Sequence, residues 1–293
     1  MDFQIKHLTE YLYDGPSAEA YIEARLTPQP SGRQEITRHE IEVDPSVALS
    51  AFEDYYGNEV QFFSLPYRHA ALKIVNHLQV LTTEEALPQA SLETSIQETR
   101  QIYGSVMTDV YDFVLPTRNV PLGRDSTTWA RRYLRGDRPL GEGLLALNQA
   151  IHKTFTYKSG STTISTPLET VWKQKRGVCQ DFAHVMLSIL RTAGLPSRYI
   201  CGYLDPNPVT TGGRSSRLTG SIATHAWVEV LAPGMIWVAL DPTNNIWCGE
   251  RHVTVSYGRD FQDAAPIRGT FKGSGSQRMK IRVQMKRSAE KKS

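Results

Sequence analysis

The hydrophobic pattern of this 293-residue chain changes period part-way along, and that change limits the folds open to it. Over the first ninety or so residues short β-prone runs follow one another: "EAYIEARLTP", "RHEIEVDP", "NEVQFFSLP" and "AALKIVNHLQVLT". Turn signals such as "DGP", "QPSG" and "YGN" separate them, and long helical periodicity is absent. This predicts an all-β unit, a sandwich or small barrel, over residues 1–92. A less regular stretch around "TTEEALPQASLETSIQETR" predicts a linker, taken as residues 93–124. From about Asp125 helical spacing takes over. "DSTTWARRYLRG" offers Asp or Ser as N-cap and a glycine exit, and "GEGLLALNQAIHKTFTY" sets Leu144, Leu147 and Ile151 at helical intervals. "TPLETVWKQKRG" reads as a capping box with Thr166 as N-cap, Pro167 at N1 and Glu169 at N3, closed by Gly177. The next helix is expected to start near Cys179, bury Phe182, Met186, Ile189 and Leu190, and end by Gly194 and Pro196. The strands "SRYICGYL", "HAWVEVL" and "MIWVALDP" follow. Helices and then antiparallel strands predict an α+β unit over residues 125–287, with "SAEKKS", residues 288–293, as a disordered basic tail.

Charge and cysteine usage narrow the function classes. The net charge of +3 hides an asymmetry, because residues 278–293 carry seven Lys or Arg against Glu290 alone. The rest of the chain is therefore net negative, and no nucleic-acid partner is expected. "RMKIRVQMKR" alternates Met279, Ile281, Val283 and Met285 with polar residues, as a half-buried strand does. No apolar run approaches the ~18 residues that cross a bilayer, so no membrane span is expected. "MDFQIKHLTEYLYDG" lacks the apolar core of a secretory signal. Three cysteines without framework spacing fit a reducing compartment, so the expected location is cytoplasmic.

One of the three cysteines is oddly placed. In "QKRGVCQDFAHVMLSIL", Cys179 stands at the mouth of an apolar helix directly behind a glycine turn. A lone cysteine there can be a small hydrophobe filling a tight helix start. It can also be a nucleophile, since the positive end of the helix favours the thiolate and its free N–H groups can hold an oxyanion. A nucleophile needs a base and a group that orients the base. His184 lies five residues on, about 140° around the helix from Cys179, and points elsewhere. His225 opens "HAWVEV", which leads through "LAPG" into "MIWVALDPTN". With Ala232, Pro233 and Gly234 as a three-residue loop, Leu231 faces Met235, Glu229 faces Trp237, Trp227 faces Ala239 and His225 faces Asp241. All share one parity, so His225 and Asp241 fall on one sheet face. Trp227 and Trp237 share that face and serve either as core or as a cleft wall. Cys201 reads as core and Cys248 as a loop thiol. The Gly/Ser/Thr-rich residues 206–224 before His225 form either a mobile lid or a plain connection.

The blocks "GVCQDFAHVMLSILRTAGLPSRYICGYL", "HAWVEV" and "WVALDPTN" closely resemble the core of the bacterial transglutaminase-like superfamily, over roughly residues 150–260. "HVTVSYGRDFQDAAPIRGTFKG" resembles the downstream extension of its bacterial branch, and "FEDYYGNEVQFFSLP" its β-rich N-terminal domain. The resemblance implies a papain-like α+β core, with Cys179 as nucleophile, His225 as general base and Asp241 as orienting acid. It implies a peptide or protein substrate and leaves crosslinking, deamidation and proteolysis open. Animal members use calcium, but no EF-hand-type acidic loop, "HExxH" or paired "CxxC" is present, so no metal and no cofactor is expected. Gln180 and Asp181 are expected to be structural. A non-catalytic binding module on the same fold is the competing expectation.

Overall fold

Alternating burial sets the first half of the molecule. Along Glu19–Ala24 every second residue is buried, and Val60, Phe63 and Leu65 are buried within Glu59–Leu65. The computed structural model describes residues 1–105, 107–211, 214–220, 223–273 and 275–288. Six strands come first: β1 (Asp2–Ser17), β2 (Glu19–Ala24), β3 (Gln34–Asp44), β4 (Ser50–Glu53), β5 (Glu59–Leu65) and β6 (His69–Thr82). Helices α1 (Gln89–Glu93), α2 (Ile96–Ser105), α3 (Met107–Val110), α4 (Arg124–Tyr133) and α5 (Leu140–Thr154) follow. Then come β7 (Thr156–Tyr157), α6 (Leu168–Gln174), β8 (Arg176–Gly177), α7 (Cys179–Thr192) and β9 (Ser197–Leu204). The chain continues through β10 (Val209–Thr211), β11 (Arg214–Ser216), β12 (His225–Ala232), β13 (Ile236–Asp241), β14 (Ile246–Trp247) and β15 (His252–Gly258). It ends with α8 (Phe261–Ala264), β16 (Ile267–Lys272) and β17 (Gln277–Arg287).

Two four-stranded sheets, ordered β17-β1-β6-β3 and β16-β2-β5-β4, enclose a core of Tyr11, Ile22, Phe63, Leu65, Leu72 and Ile74. Of the two predicted β forms, this is the sandwich. A five-stranded antiparallel sheet, β14-β13-β12-β9-β15, carries α7 on one face. There Ala226, Val228 and Val230 of β12 meet Phe182, Met186 and Ile189 of α7 in the main core. The helices-plus-sheet α+β expectation stands. Phe3, Ile5, Leu78, Val80 and Met285 of the sandwich share a further core with Tyr203, Val253 and Val255, so the two sheet systems pack together.

Several expectations need correction. Residues 125–287 do not form one unit: β16 pairs with β2 and β17 with β1, so the chain returns to complete both N-terminal sheets. Period-2 spacing marks a strand but does not say which open edge it will fill. Residues 93–124 are not a loose linker either, because Ile96, Tyr103, Val110 and Val120 are buried in the main core. Helix α6 starts after Pro167 rather than at it. Thr166 Oγ1 instead accepts the Thr163 N–H, and Glu169 pairs with Lys173 at 2.7 Å. The left-handed turn that ends α6 falls on Lys175 (φ 51°), not on Gly177. Helix α4 is capped by Gly123, ahead of the expected Asp125 or Ser126. On β17 only Val283 and Met285 are covered, while Met279 and Ile281 are exposed. Residues 289–293 of the expected disordered tail lie outside the described residues.

Candidate active site

The start of α7 is held by one carboxylate. Asp181 reaches back to accept the Val178 N–H at 2.7 Å and the Thr162 hydroxyl at 2.6 Å. Gly177 makes room for it: a Cβ there would lie 2.5 Å from Asp181 Oδ2. Burial raises the Asp181 pKa, and its two donors oppose that shift. Cys179 is therefore presented, half-buried, in the first helical turn. At that point the leading N–H groups lack intrahelical acceptors.

His225 is the first residue of β12 and is buried. Its Nε2–H donates to Asp241 Oδ2 at 2.8 Å. Nδ1 has no hydrogen-bond partner among the described residues, and the Cys179 side chain lies close enough to influence the protonation of the ring. Burial works to lower the imidazole's pKa, but Asp241 and Cys179 outweigh it and push it up to about 10. Asp241 is fully buried, yet its Oδ1 accepts the amides of Thr243 (2.9 Å) and Asn244 (3.1 Å). Its Oδ2 accepts Asn244 Nδ2 at 2.7 Å besides His225. Burial favours the neutral acid, but His225 and a second imidazole, His252, hold this carboxyl well below the usual carboxylate range.

The predicted triplet comes together, though not by the expected register. The hairpin loop is Pro233–Gly234–Met235, with Ala232 opposite Ile236 and Leu231 opposite Trp237. The pairing is shifted by two residues, which preserves parity. His225 and Asp241 thus stay on one face as diagonal neighbours. Met235 and Gly234 both take positive φ there, a turn that simple loop counting does not foresee.

The other expectations resolve as follows. His184 points away from Cys179, and its Nε2 accepts the Phe261 N–H at 3.2 Å. Cys201 is in the main core; Cys248 lies on the loop between β14 and β15, as expected, and is buried beside Trp227. Burial pushes both thiols up. Trp227 is core, whereas Trp237 is half-buried beneath the Arg198 guanidinium at 4.3 Å. Of residues 206–224, expected as lid or connection, 212–213 and 221–222 lie outside the described residues; β10 pairs antiparallel with β11, and the turn at Thr219 and Gly220 lies over His225. Asn244 grips this turn, accepting the Thr219 N–H at 2.7 Å and donating to the Thr219 carbonyl at 3.1 Å. Gly220 (φ 92°) follows, and a Cβ on it would lie 2.3 Å from His225 Nδ1. Asn244, Gly220 and His252 were not foreseen as site residues. Only Asn244 carried a signal, by closing the "DPTN" block. Among the described residues no group of three or more His, Cys, Asp or Glu could hold a metal ion. No helix among them is long and apolar enough to cross a membrane.

The site thus combines a half-buried thiol at a helix mouth with a histidine held by a buried aspartate. Comparison with known proteins gives the family. Residues 127–242 match the transglutaminase-like superfamily, and residues 3–81 match the bacterial transglutaminase-like N-terminal region. An uncharacterised Mycobacterium leprae protein is 31% identical over 287 residues, covering 98% of this chain and 99% of its own. The chain belongs to the bacterial transglutaminase-like family. A protein-glutamine gamma-glutamyltransferase of Pseudomonas aeruginosa is 28% identical over 108 residues, 34% of this chain and 16% of that protein. The crystal structure of a candidate cysteine protease from Cytophaga hutchinsonii has the same fold, with TM-score 0.74 and 20% identity over 99% of this chain and 92% of its own.

Proposed function

We propose that this protein is a cysteine-dependent acyl-transfer enzyme acting on amide or peptide bonds. Cys179 is the nucleophile. His225 Nδ1 takes its proton, and the thiolate Sγ attacks the substrate carbonyl carbon. The tetrahedral oxyanion faces the first N–H groups of α7. Collapse breaks the C–N bond, His225 returns the proton to the leaving ammonia or amine, and a thioester remains on Cys179. Water then gives hydrolysis or deamidation, and a primary amine gives crosslinking. The similarity to a protein-glutamine gamma-glutamyltransferase makes a glutamine carboxamide in a peptide the first acyl donor to try. The observation that carries the proposal is the division of His225: Nε2 is bound to buried Asp241, and Nδ1 is left for Cys179. A cytoplasmic setting is part of the reading, in keeping with three free thiols; fractionation that recovers the chain elsewhere would remove that part.

The test is mass spectrometry of peptide libraries incubated with the protein and a primary amine. Deamidation, cleavage or amine addition is expected, and Cys179→Ala should abolish it. An unchanged library, together with equally slow alkylation of all three cysteines, would favour a binding module.

A further inference from the structure

Two imidazoles converge on one carboxylate oxygen. Asp241 Oδ2 receives His225 Nε2 at 2.8 Å and, on a longer path, His252 Nε2 at 3.4 Å. His252 opens β15, which lies three strands from β13 in the order β14-β13-β12-β9-β15. Strands β12 and β9 lie between, and the Trp227 ring of β12 lies over Gly202 of β9, where a Cβ would be 2.4 Å from it. Trp227 packs edge-on against His252, ring centroids 5.2 Å apart, and the His225 ring lies 6.5 Å away. His252 itself is buried.

The far side of the His252 ring settles which nitrogen carries its proton. Gly249 N–H donates to His252 Nδ1 at 3.4 Å. A backbone N–H can only donate, so Nδ1 is the bare nitrogen and Nε2 bears the hydrogen. That hydrogen is aimed at Asp241. Burial lowers the pKa of His252, helped by the nearby positive charges of His225 and Arg33, against the pull of Asp241. A neutral ring suits the site, because a second imidazolium would compete with that of His225 for the same carboxylate.

We infer that His252 is a positioning residue, a neutral imidazole whose Nε2–H fixes the rotamer of the Asp241 carboxylate that orients His225. With the Thr243 and Asn244 amides on Oδ1 and the Asn244 side chain on Oδ2, it completes a ring of donors around a fully buried charge. A carboxylate so held cannot swing Oδ2 away from His225. The consequence at Cys179 rests on the acyl-transfer reading; the bond itself does not.

Three measurements decide it. In ¹⁵N-histidine-labelled protein at neutral pH, two-bond correlations should show His252 as the neutral Nε2–H tautomer. An Nδ1–H tautomer or an imidazolium would overturn the inference, and this needs no variant to fold. His252→Gln keeps an amide N–H in place of Nε2–H, and His252→Leu fills space without a donor. The low-field Nε2–H proton of His225 should persist in the glutamine variant and shift or vanish in the leucine variant. Iodoacetamide labelling of Cys179 should slow about tenfold in His252→Leu and stay within about twofold of wild type in His252→Gln. Equal behaviour of the two variants would mean that the ring only fills space. Should wild-type Cys179 react no faster than Cys201 and Cys248, the acyl-transfer reading fails, while the tautomer and the His225 proton still decide the role of His252.

Discussion

His184 and His225 lie within one fold yet are driven to opposite protonation states. His184 is buried with its Nε2 accepting a backbone N–H, and burial lowers its pKa to about 4. His7, buried between Tyr203 and Thr9, is likewise lowered to about 4. For both, the folded value lies below the ordinary 6.5, so protonation favours the unfolded chain. Their contribution is complete above pH 6.5 and is lost as pH falls toward about 4. His225 runs the other way. Its folded pKa is raised to about 10, so its contribution is complete below 6.5 and is lost as pH climbs toward that value. The contribution of Asp241, whose pKa is depressed, disappears only below its ordinary 3.8. The urea midpoint is therefore expected to peak near neutrality and fall on both sides, with up to one proton per histidine setting each slope. A midpoint flat between about pH 7 and about pH 4.5 would contradict the neutral burial of His7 and His184.

At the scale of the element, the mouth of α7 depends on a residue with no side chain. Gly177 lies where a Cβ would meet the Asp181 carboxylate, and Asp181 caps the Val178 N–H. Gly177→Ala should push that carboxylate off its donors, costing about 1–3 kcal/mol. It should also slow Cys179 alkylation, since the first turn loses its anchor. A thermal-melt and alkylation series checks both; unchanged values would mean that Asp181 moves freely. The chain before this turn is equally tied down. Lys175 takes a left-handed conformation while its ammonium sits over Trp172 at 4.6 Å and Phe155 at 5.0 Å. Cation–π contact thus accompanies a backbone state that lysine seldom adopts.

On the scale of the whole molecule, the chain's last described strands close sheets begun by its first ones. Arg287 of β17 binds Asp205 Oδ2, which also takes Arg251 at 3.1 Å, so the closing strand is tied to the end of β9. Truncation after Pro266 removes β16 and β17 and bares the edges of β2 and β1. The shortened chain should lose its cooperative thermal transition and aggregate; a sharp melt near the full-length midpoint would show that the sandwich does not need these strands. Much of this was legible beforehand. Alternation identified β2, β3, β5 and β6 but neither β1 nor β4, and apolar spacing identified α5 and α7. A cysteine behind glycine, together with the parity of two short strands, singled out Cys179, His225 and Asp241. These features are local, and both period and parity survive small errors of register. The two-residue slip of the β12–β13 hairpin shows this, since it left both side chains on one face. Tertiary structure alone decided the partners of β16 and β17, the burial of residues 93–124, and the meeting of His252 with Asp241. Each depends on which distant edge or gap a segment fills, and no spacing along one chain encodes that distance.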